Sequence, residues 1–406
     1  MLNKKDKSFL ICMLFFAVLS FFVYFEGRMN VQNTTAYLFS YKYGFIPRGL
    51  IGTVINFACD LVGIPLTYNV MLLISMMATV LLFVLLFVLF YVVLKRTTST
   101  RLIYYVLAFL AIICFPMFLT WNNFGRLDEY LIILTLASVI LLITKKAEWL
   151  VVMFCLAACF VHVGFVFTNV GVILAILLYK AINNKDKRGK YITLLMAVFI
   201  VCAAVFIITE LLTGPISTDD YNYIVDKAKV IAEQGGNTAN FNDAYSLLDS
   251  ELLKQDVYTN ENVWRIKNWV EAPIFIILFL PYIIVGIKVF VDTIRRQSKA
   301  LDKLKYLALL LGCLTIVPEL ILKVDYGRWV YNILLYYVII TAFMLVQNNN
   351  TFNEVLRERL KVTVSRVVFP QAYIIYPIFF VPFRDVYISD LTTKLMDVVG
   401  RLFRIW

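Results

Sequence analysis

A succession of apolar runs, each as long as a bilayer is thick, most constrains what this chain can fold into. The run from Asn69 to Leu94 holds no charged residue, and a helix crosses the hydrocarbon core with about 20 apolar residues. Comparable runs recur along the chain, so 61% of its 406 residues are hydrophobic, against roughly 45–50% in a soluble domain. The short alternating segments of a β-barrel are absent from the pattern. The expected fold is all-α: a polytopic transmembrane helical protein, with residues 1–406 forming a single transmembrane domain.

Charge then sets sidedness. The formal charge of +11 comes from Lys and Arg clustered in short connections, which the positive-inside rule explains better than a nucleic-acid partner does. Those clusters are Lys4, Lys5 and Lys7; Lys95, Arg96 and Arg101; Lys145 and Lys146; Lys180 to Lys190; Arg295 to Lys305; and Arg357 to Arg366. Of seven cysteines, six lie inside apolar runs and only Cys59 falls in an outer loop, so no disulfide framework is expected. The single histidine argues against a His-based metal site. The first apolar run follows lysines but meets bulky, charged Tyr24-Phe25-Glu26-Gly27-Arg28 rather than a small-residue cleavage site. It reads as a retained first helix with a cytoplasmic N-terminus.

The chain organises into about eleven crossings. Helices are expected near Ser8–Phe25, Asn69–Leu94, Leu102–Leu119, Tyr130–Thr144, Tyr191–Leu212, Pro273–Val291, Tyr306–Leu322, Trp329–Leu345 and Val367–Phe383. The run Trp149–Tyr179 starts and ends beside basic clusters. It must therefore be two short helices, bent near His162-Val163-Gly164 or Thr168-Asn169-Val170-Gly171. A short apolar helix near Leu50–Leu61 follows a turn at Gly44 to Gly49, and Asn33-Thr34-Thr35 is a formal glycosylation sequon. Residues 214–271 form the one large extracytoplasmic loop, with amphipathic helices near Asp219–Glu233, Asn242–Gln255 and Glu261–Val270. Residues 384–406 read as an amphipathic C-terminal tail at the interface.

Two turns on the outer side concentrate charge and aromatic rings. One is Trp121-Asn122-Asn123-Phe124-Gly125-Arg126-Leu127-Asp128-Glu129; the other is Lys323-Val324-Asp325-Tyr326-Gly327-Arg328-Trp329. Charge near bilayer depth is costly and marks function. An Arg grips phosphate with a planar donor fork, and a carboxylate beside it can take a proton from a hydroxyl. Glycine before Arg in both turns allows a ligand to approach the backbone. Glu319, inside an apolar run after Pro318, and the lone His162 are further polar candidates. Taken as catalytic are Asp128, Asp325 and His162; taken as binding diphosphate or sugar are Arg48, Arg126, Arg328, Glu129, Trp121 and Trp329.

The stretch Tyr43-Gly44-Phe45-Ile46-Pro47-Arg48-Gly49-Leu50-Ile51-Gly52 resembles a Gly-Phe-x-Arg-Arg-Gly-Leu-x-Gly pattern of bacterial polytopic proteins from surface-polysaccharide gene clusters. The Gly-Arg-Leu-Asp turn, the His162 hairpin and Asp-Tyr-Gly-Arg-Trp are similar in kind and order. The group looks like the O-antigen and capsule repeat-unit polymerases, within the GT-C class of polyprenyl-lipid-dependent glycosyltransferases. Two departures stand out: Pro47 replaces the first of two arginines, and Val163 follows His162 where an acid is common. The resemblance implies an enzyme of the bacterial cytoplasmic membrane that polymerises undecaprenyl-diphosphate-linked oligosaccharides, alongside other polysaccharide-assembly proteins. Arg126, Arg328 and Arg48 would neutralise the diphosphate, so no metal cofactor is expected; Asp128 or Glu129 would hold one if it were used. The alternatives are a single-sugar transferase using a polyprenyl-phosphate sugar, a transporter or flippase of lipid-linked sugars, and a non-catalytic assembly subunit.

Overall fold

A computed structural model of the protein describes residues 4–25, 27–46, 48–96, 119, 124–212, 216–235, 283–322 and 326–366. Within these residues every regular element is helical. In chain order they are α1 (Lys4–Tyr24), α2 (Val31–Ala36), α3 (Gly49–Val62), α4 (Tyr68–Arg96), α5 (Leu127–Thr144), α6 (Leu150–Val161), α7 (Phe165–Thr168), α8 (Val170–Asn183), α9 (Arg188–Leu212) and α10 (Thr218–Gln234). Then come α11 (residues 283–295), α12 (Ala300–Leu311), α13 (Val317–Leu322), α14 (Tyr326–Val346) and α15 (Asn350–Arg366). Among the described residues, five stretches are long and apolar enough to cross a membrane: Tyr68–Arg96, Leu127–Thr144, Arg188–Thr209, Ala300–Ile321 and Trp329–Val346. Ile11 and Phe15 on α1, Met77 and Val80 on α4, and Phe199 and Ile200 on α9 leave large apolar side chains exposed. Continuous faces of this kind belong against lipid rather than water. The protein is an α-helical membrane protein.

One end of the helical body gathers the basic residues. The Arg96 guanidinium donates to the Ile143 carbonyl (2.7 Å), and Asn348 Nδ2 donates to the Arg96 carbonyl (3.2 Å). Lys305 Nζ reaches Asn183 Oδ1 (3.1 Å), and Arg359 pairs with Asp292. The basic clusters that the sequence marks as one side thus converge on one end. The opposite end is closed by loops that cross-brace each other. Tyr68 OH accepts from the Met29 amide (2.7 Å), Asn33 Nδ2 donates to the Phe124 carbonyl (2.9 Å), and Gln234 Oε1 accepts from the Tyr68 amide (3.2 Å). Since Tyr68 and Phe124 share this end, α4 and α5 run parallel.

Three elements depart from the sequence expectation. The helix expected at Tyr306–Leu322 begins at Ala300 and is interrupted by a 3-10 segment at Gly312–Ile316. The basic stretch after Leu345 is not simply a loop: α15 buries Phe352, Val355 and Leu356 and ties Arg359 and Glu358 to Asp292 of α11 and to Arg296 just after it. The Asn33 sequon is buried and its amide is spent on Phe124, so it cannot present its nitrogen for glycosylation. The expected helices at 102–119 and 367–383, the amphipathic segments after Gly235 and the tail 384–406 lie outside the described residues.

Trp149–Tyr179 breaks at both proposed places. The chain leaves α6 at His162 in extended conformation (φ −162°, ψ 120°), makes one turn as α7, and restarts at Asn169 into α8. At 1.5 Å per residue α6 is about 18 Å long and α8 about 21 Å, both short of the roughly 30 Å hydrocarbon layer. Neither helix is therefore long enough to cross such a layer by itself. The 3-10 interruption Gly312–Ile316 packs against the break between them: a methyl built on Gly171 would lie 2.1 Å from the Gly312 carbonyl oxygen. Only a glycine lets the two backbones meet so closely.

Candidate functional site

The Arg48 loop is anchored beside this break. Arg48 itself adopts a left-handed conformation (φ 63°, ψ 17°) just before α3, which costs a non-glycine residue about 1 kcal/mol or more. Methyls built on Gly49 and Gly52 would lie 2.7 Å from the Tyr41 ring and 2.0 Å from the Phe39 carbonyl oxygen. These glycines therefore let α3 lie directly on the preceding segment. Tyr41 OH donates to the Phe160 carbonyl (3.3 Å), and Phe45 and Phe160 approach edge to face at 6.5 Å. Burial pushes the Tyr41 phenol up to about 12, so it stays a neutral donor. Arg48 is thereby set near the level of Phe160, two residues before His162.

His162 Nδ1 accepts the Gly164 amide proton (2.9 Å). A methyl on Gly164 would fall 2.9 Å from His162 Cε1 and 3.4 Å from Glu319 Oε1. Glu319, only 9% exposed, comes from α13, which packs against α7 and the 3-10 segment. Sequence analysis noticed Glu319 as an acid inside an apolar run but did not place it with His162; no local pattern links residues so far apart in the chain.

The Gly125-Arg126 turn forms the second cluster. Gly125 has a positive φ (80°), and a methyl there would lie 2.3 Å from Met29 Cε and 2.8 Å from Ser75 Oγ. The expected close approach exists, but the protein's own side chains make it, not a ligand. Arg126 caps α5 with extended backbone (φ −66°, ψ 147°), and Asp128 and Glu129 occupy the first turn, where carboxylates oppose the positive end of the helix dipole. Asp128 is partly exposed. Glu129 is fully buried, and among the described residues neither carboxylate oxygen has a hydrogen-bond partner within bonding geometry. The Thr79 hydroxyl faces it but donates to the Ser75 carbonyl (3.1 Å). Alongside runs a hydroxyl chain in which Tyr37 OH meets both Ser75 Oγ (2.9 Å) and Tyr130 OH (3.0 Å).

The segment from Tyr37 to Tyr41 joins the clusters, with Tyr37 beside Tyr130 and Tyr41 beside Phe160. Four residues of backbone span at most about 14 Å, so the two clusters are held near each other by one short segment. Trp329 is 4% exposed and packed in the helical core. Arg328 occupies the first turn of α14. Trp121 and Asp325 lie outside the described residues. Among the described residues no three His, Cys, Asp or Glu side chains are grouped to hold a metal ion.

The basic end holds a cluster that sequence analysis missed. Lys180, taken there as a loop lysine, is buried: its Nζ donates to Glu148 Oε1 (2.5 Å) and to the Leu142 carbonyl (2.6 Å). Lys190 reaches Glu148 Oε2 (2.5 Å) and Tyr191 OH reaches Oε1 (3.2 Å). Burial alone would raise Glu148, but the hydrogen bonds from Lys180 and Lys190 hold it below the ordinary carboxylate value. The signal available was Glu148 itself, a single acid after Lys145 and Lys146.

Comparison with protein-family models, with curated proteins and with solved structures returns no match.

Proposed function

We propose that the protein joins undecaprenyl-diphosphate-linked oligosaccharide units into a surface polysaccharide. The reaction is placed at the extracytoplasmic face of a bacterial cytoplasmic membrane, in a GT-C-like body of about eleven crossings. The observation that supports this reading best is the meeting of two helix interruptions, at 162–169 and 312–316, between apolar helices. Non-helical backbone between membrane helices persists where it is enclosed by protein or lines a cavity, and here it brings His162 and Glu319 together beside the Arg48 loop.

In the reaction, an acceptor hydroxyl oxygen attacks the anomeric carbon of the donor glycan. The bond from that carbon to the diphosphate oxygen breaks, and undecaprenyl diphosphate leaves with the electron pair. Arg48, Arg126 and Arg328 neutralise its charge. Asp128 or Asp325 takes the hydroxyl proton. The 214–271 loop covers the glycan and keeps out water, which limits hydrolysis. A flippase is the second reading, favoured by one observation: the buried Glu129 carboxyl inside the helical body is the kind of group that carries ions through transporters.

The test is the purified protein in nanodiscs, supplied with undecaprenyl-diphosphate-linked repeat units. A ladder of longer glycans with release of undecaprenyl diphosphate supports polymerisation. Addition of one sugar only, from a polyprenyl-phosphate donor, overturns it in favour of a single-sugar transferase. Leaflet exchange of intact units without bond formation overturns it in favour of a flippase.

A further inference from the structure

The basic end carries a cavity that the polymerase reading does not use. Its volume is about 240 Å³, and Asp292, Arg295, Arg296, Glu358 and Arg359 line it. Asp292 and Arg295 come from the last turn of α11, Arg296 from the turn after it, and Glu358 and Arg359 from α15. Carboxylates orient two of the three guanidiniums. Glu358 accepts twice from Arg296 (3.3 and 2.5 Å), and Asp292 pairs with Arg359. Three guanidiniums against two carboxylates leave the lining with one positive charge in excess.

Arg295 stands apart from these pairs. Its side chain is 76% exposed, and its contact with Asp292 is 3.6 Å, too long for a hydrogen bond. A cation at the carbonyl end of a helix is favourable in itself, which accounts for a charge at Arg295 or Arg296. It does not account for guanidiniums from two helices converging on one cavity. A planar donor fork without a tight carboxylate partner suits the oxygens of a phosphate.

The surface of α11 shows what kind of molecule carries that phosphate. Ile284, Ile287, Val291 and Arg295 are spaced three or four residues apart and share one helix face. Ile284 and Ile287 are exposed and Val291 is half-buried, while Val289, Phe290 and Thr293 on the opposite face are buried. An apolar stripe about 17 Å long therefore leads to the Arg295 guanidinium. Lys288 is exposed on the same face, about 10 Å before Arg295, and its stem lets the ammonium reach toward the polar end. A free phosphate has no use for the stripe; an acyl chain does. The cavity falls short of the roughly 300 Å³ at which pockets for whole small molecules begin, but it has room for a headgroup.

We propose that the end of α11 and α15 form a binding site for an anionic phospholipid of the leaflet at the basic end. The lipid phosphate sits in the cavity against Arg295, with Arg296 and Arg359 as further cations, and an acyl chain follows Val291, Ile287 and Ile284. Basic pockets between helices hold anionic headgroups in this way. The site stands whether or not the protein polymerises glycans.

The test is native mass spectrometry of the full chain released from detergent, titrated with dioleoyl phosphatidylglycerol or dioleoyl phosphatidylcholine. The first phosphatidylglycerol should bind at least about fivefold more tightly than phosphatidylcholine, which has the same chains and no net charge. Arg295→Gln should weaken phosphatidylglycerol about fivefold and leave phosphatidylcholine unchanged. Arg295→Lys, which keeps the charge and loses the fork, should fall between. Lys303→Gln removes an exposed charge from the same end outside the cavity and should change neither lipid. Inorganic phosphate in large excess should not displace the bound lipid. Equal affinity for the two lipids overturns the site. Equal losses in Arg295→Gln and Lys303→Gln overturn the cavity in favour of a diffuse basic surface. Displacement by inorganic phosphate overturns the lipid in favour of a soluble phosphate.

Discussion

Lys180→Met removes a cation that the sequence presents as one of many loop lysines and that the structure buries. The Lys180 side chain is 1% exposed and that of Glu148 2%, while Lys190 on the other carboxylate oxygen is 49% exposed. Losing one partner of a buried pair costs about 3–5 kcal/mol, because the other charge is left behind. In Lys180→Met, Glu148 keeps Lys190 and Tyr191, which places the cost at the lower end, about 3 kcal/mol. In Glu148→Gln, Lys180 keeps the Leu142 carbonyl but no carboxylate, which places the cost at the upper end, about 5 kcal/mol. The double variant leaves neither charge buried, so its cost should fall below the sum by about 2 kcal/mol or more. Lys190→Ala, which breaks only the half-exposed contact, should cost under about 1 kcal/mol. The assay is thermal unfolding in detergent, read by the loss of monodisperse protein. For a chain of this size the two single variants should melt roughly 5 °C or more below the parent. Equal, small shifts for Lys180→Met and Lys190→Ala would refute the reasoning, since they would put Lys180 in solvent.

The same carboxylate sets a pH dependence. Glu148 lies below its ordinary value in the folded protein, so its contribution is complete above the unfolded carboxylate range near pH 4.3 and is lost as pH falls further. The stability gap between parent and Glu148→Gln should be constant from pH 8 to about 5 and close at lower pH, as melting across a pH series will show. Gly52→Ala would drive a methyl against the Phe39 and Tyr37 carbonyl oxygens (2.0 and 2.7 Å) and should cost at least about 2–3 kcal/mol. Gly63→Ala, whose methyl meets nothing within 4 Å, should cost only the left-handed backbone strain of about 1 kcal/mol; melting curves compare the two. Cys202 on α9 lies beside Cys155 and Cys159 on α6, so copper-phenanthroline oxidation should link α9 to α6 in a peptide map. Glu129→Leu removes a buried carboxyl whose oxygens have no hydrogen-bond partner among the described residues and should raise stability by about 1–3 kcal/mol while lowering polymer yield, measured on the same preparation.

The helical membrane class was legible because bilayer thickness fixes run length, and α3, α4, α9 and α10 fall within a few residues of their expected bounds. That Trp149–Tyr179 must bend was legible for a related reason: two basic ends on one run forbid a single crossing, though one bend at either place was expected and the chain breaks at both. What escaped were features set by partners distant in sequence. Nothing near Lys180 shows that Glu148 will neutralise it, and nothing near Gly125 shows that Met29 fills the space its missing side chain leaves. The interruption at Gly312–Ile316 escaped because its sequence holds neither charge nor proline; Gly171 and Tyr336, which crowd Gly312, lie far away in the chain. Of the candidate site, Arg48, Arg126, Asp128, Glu129 and His162 were singled out from the sequence only as separate residues. That His162 and Glu319 share one glycine was a matter of packing alone.

The central claim, that this chain polymerises lipid-linked glycan units, is tested most directly by deleting its gene and sizing surface glycans and lipid-linked intermediates, with the native gene and Arg48→Ala restored in parallel. The account predicts loss of the long-chain ladder with accumulation of one complete repeat unit on the outer leaflet, repaired by the native gene and not by Arg48→Ala at equal expression. An unchanged ladder in the deletion strain would contradict it.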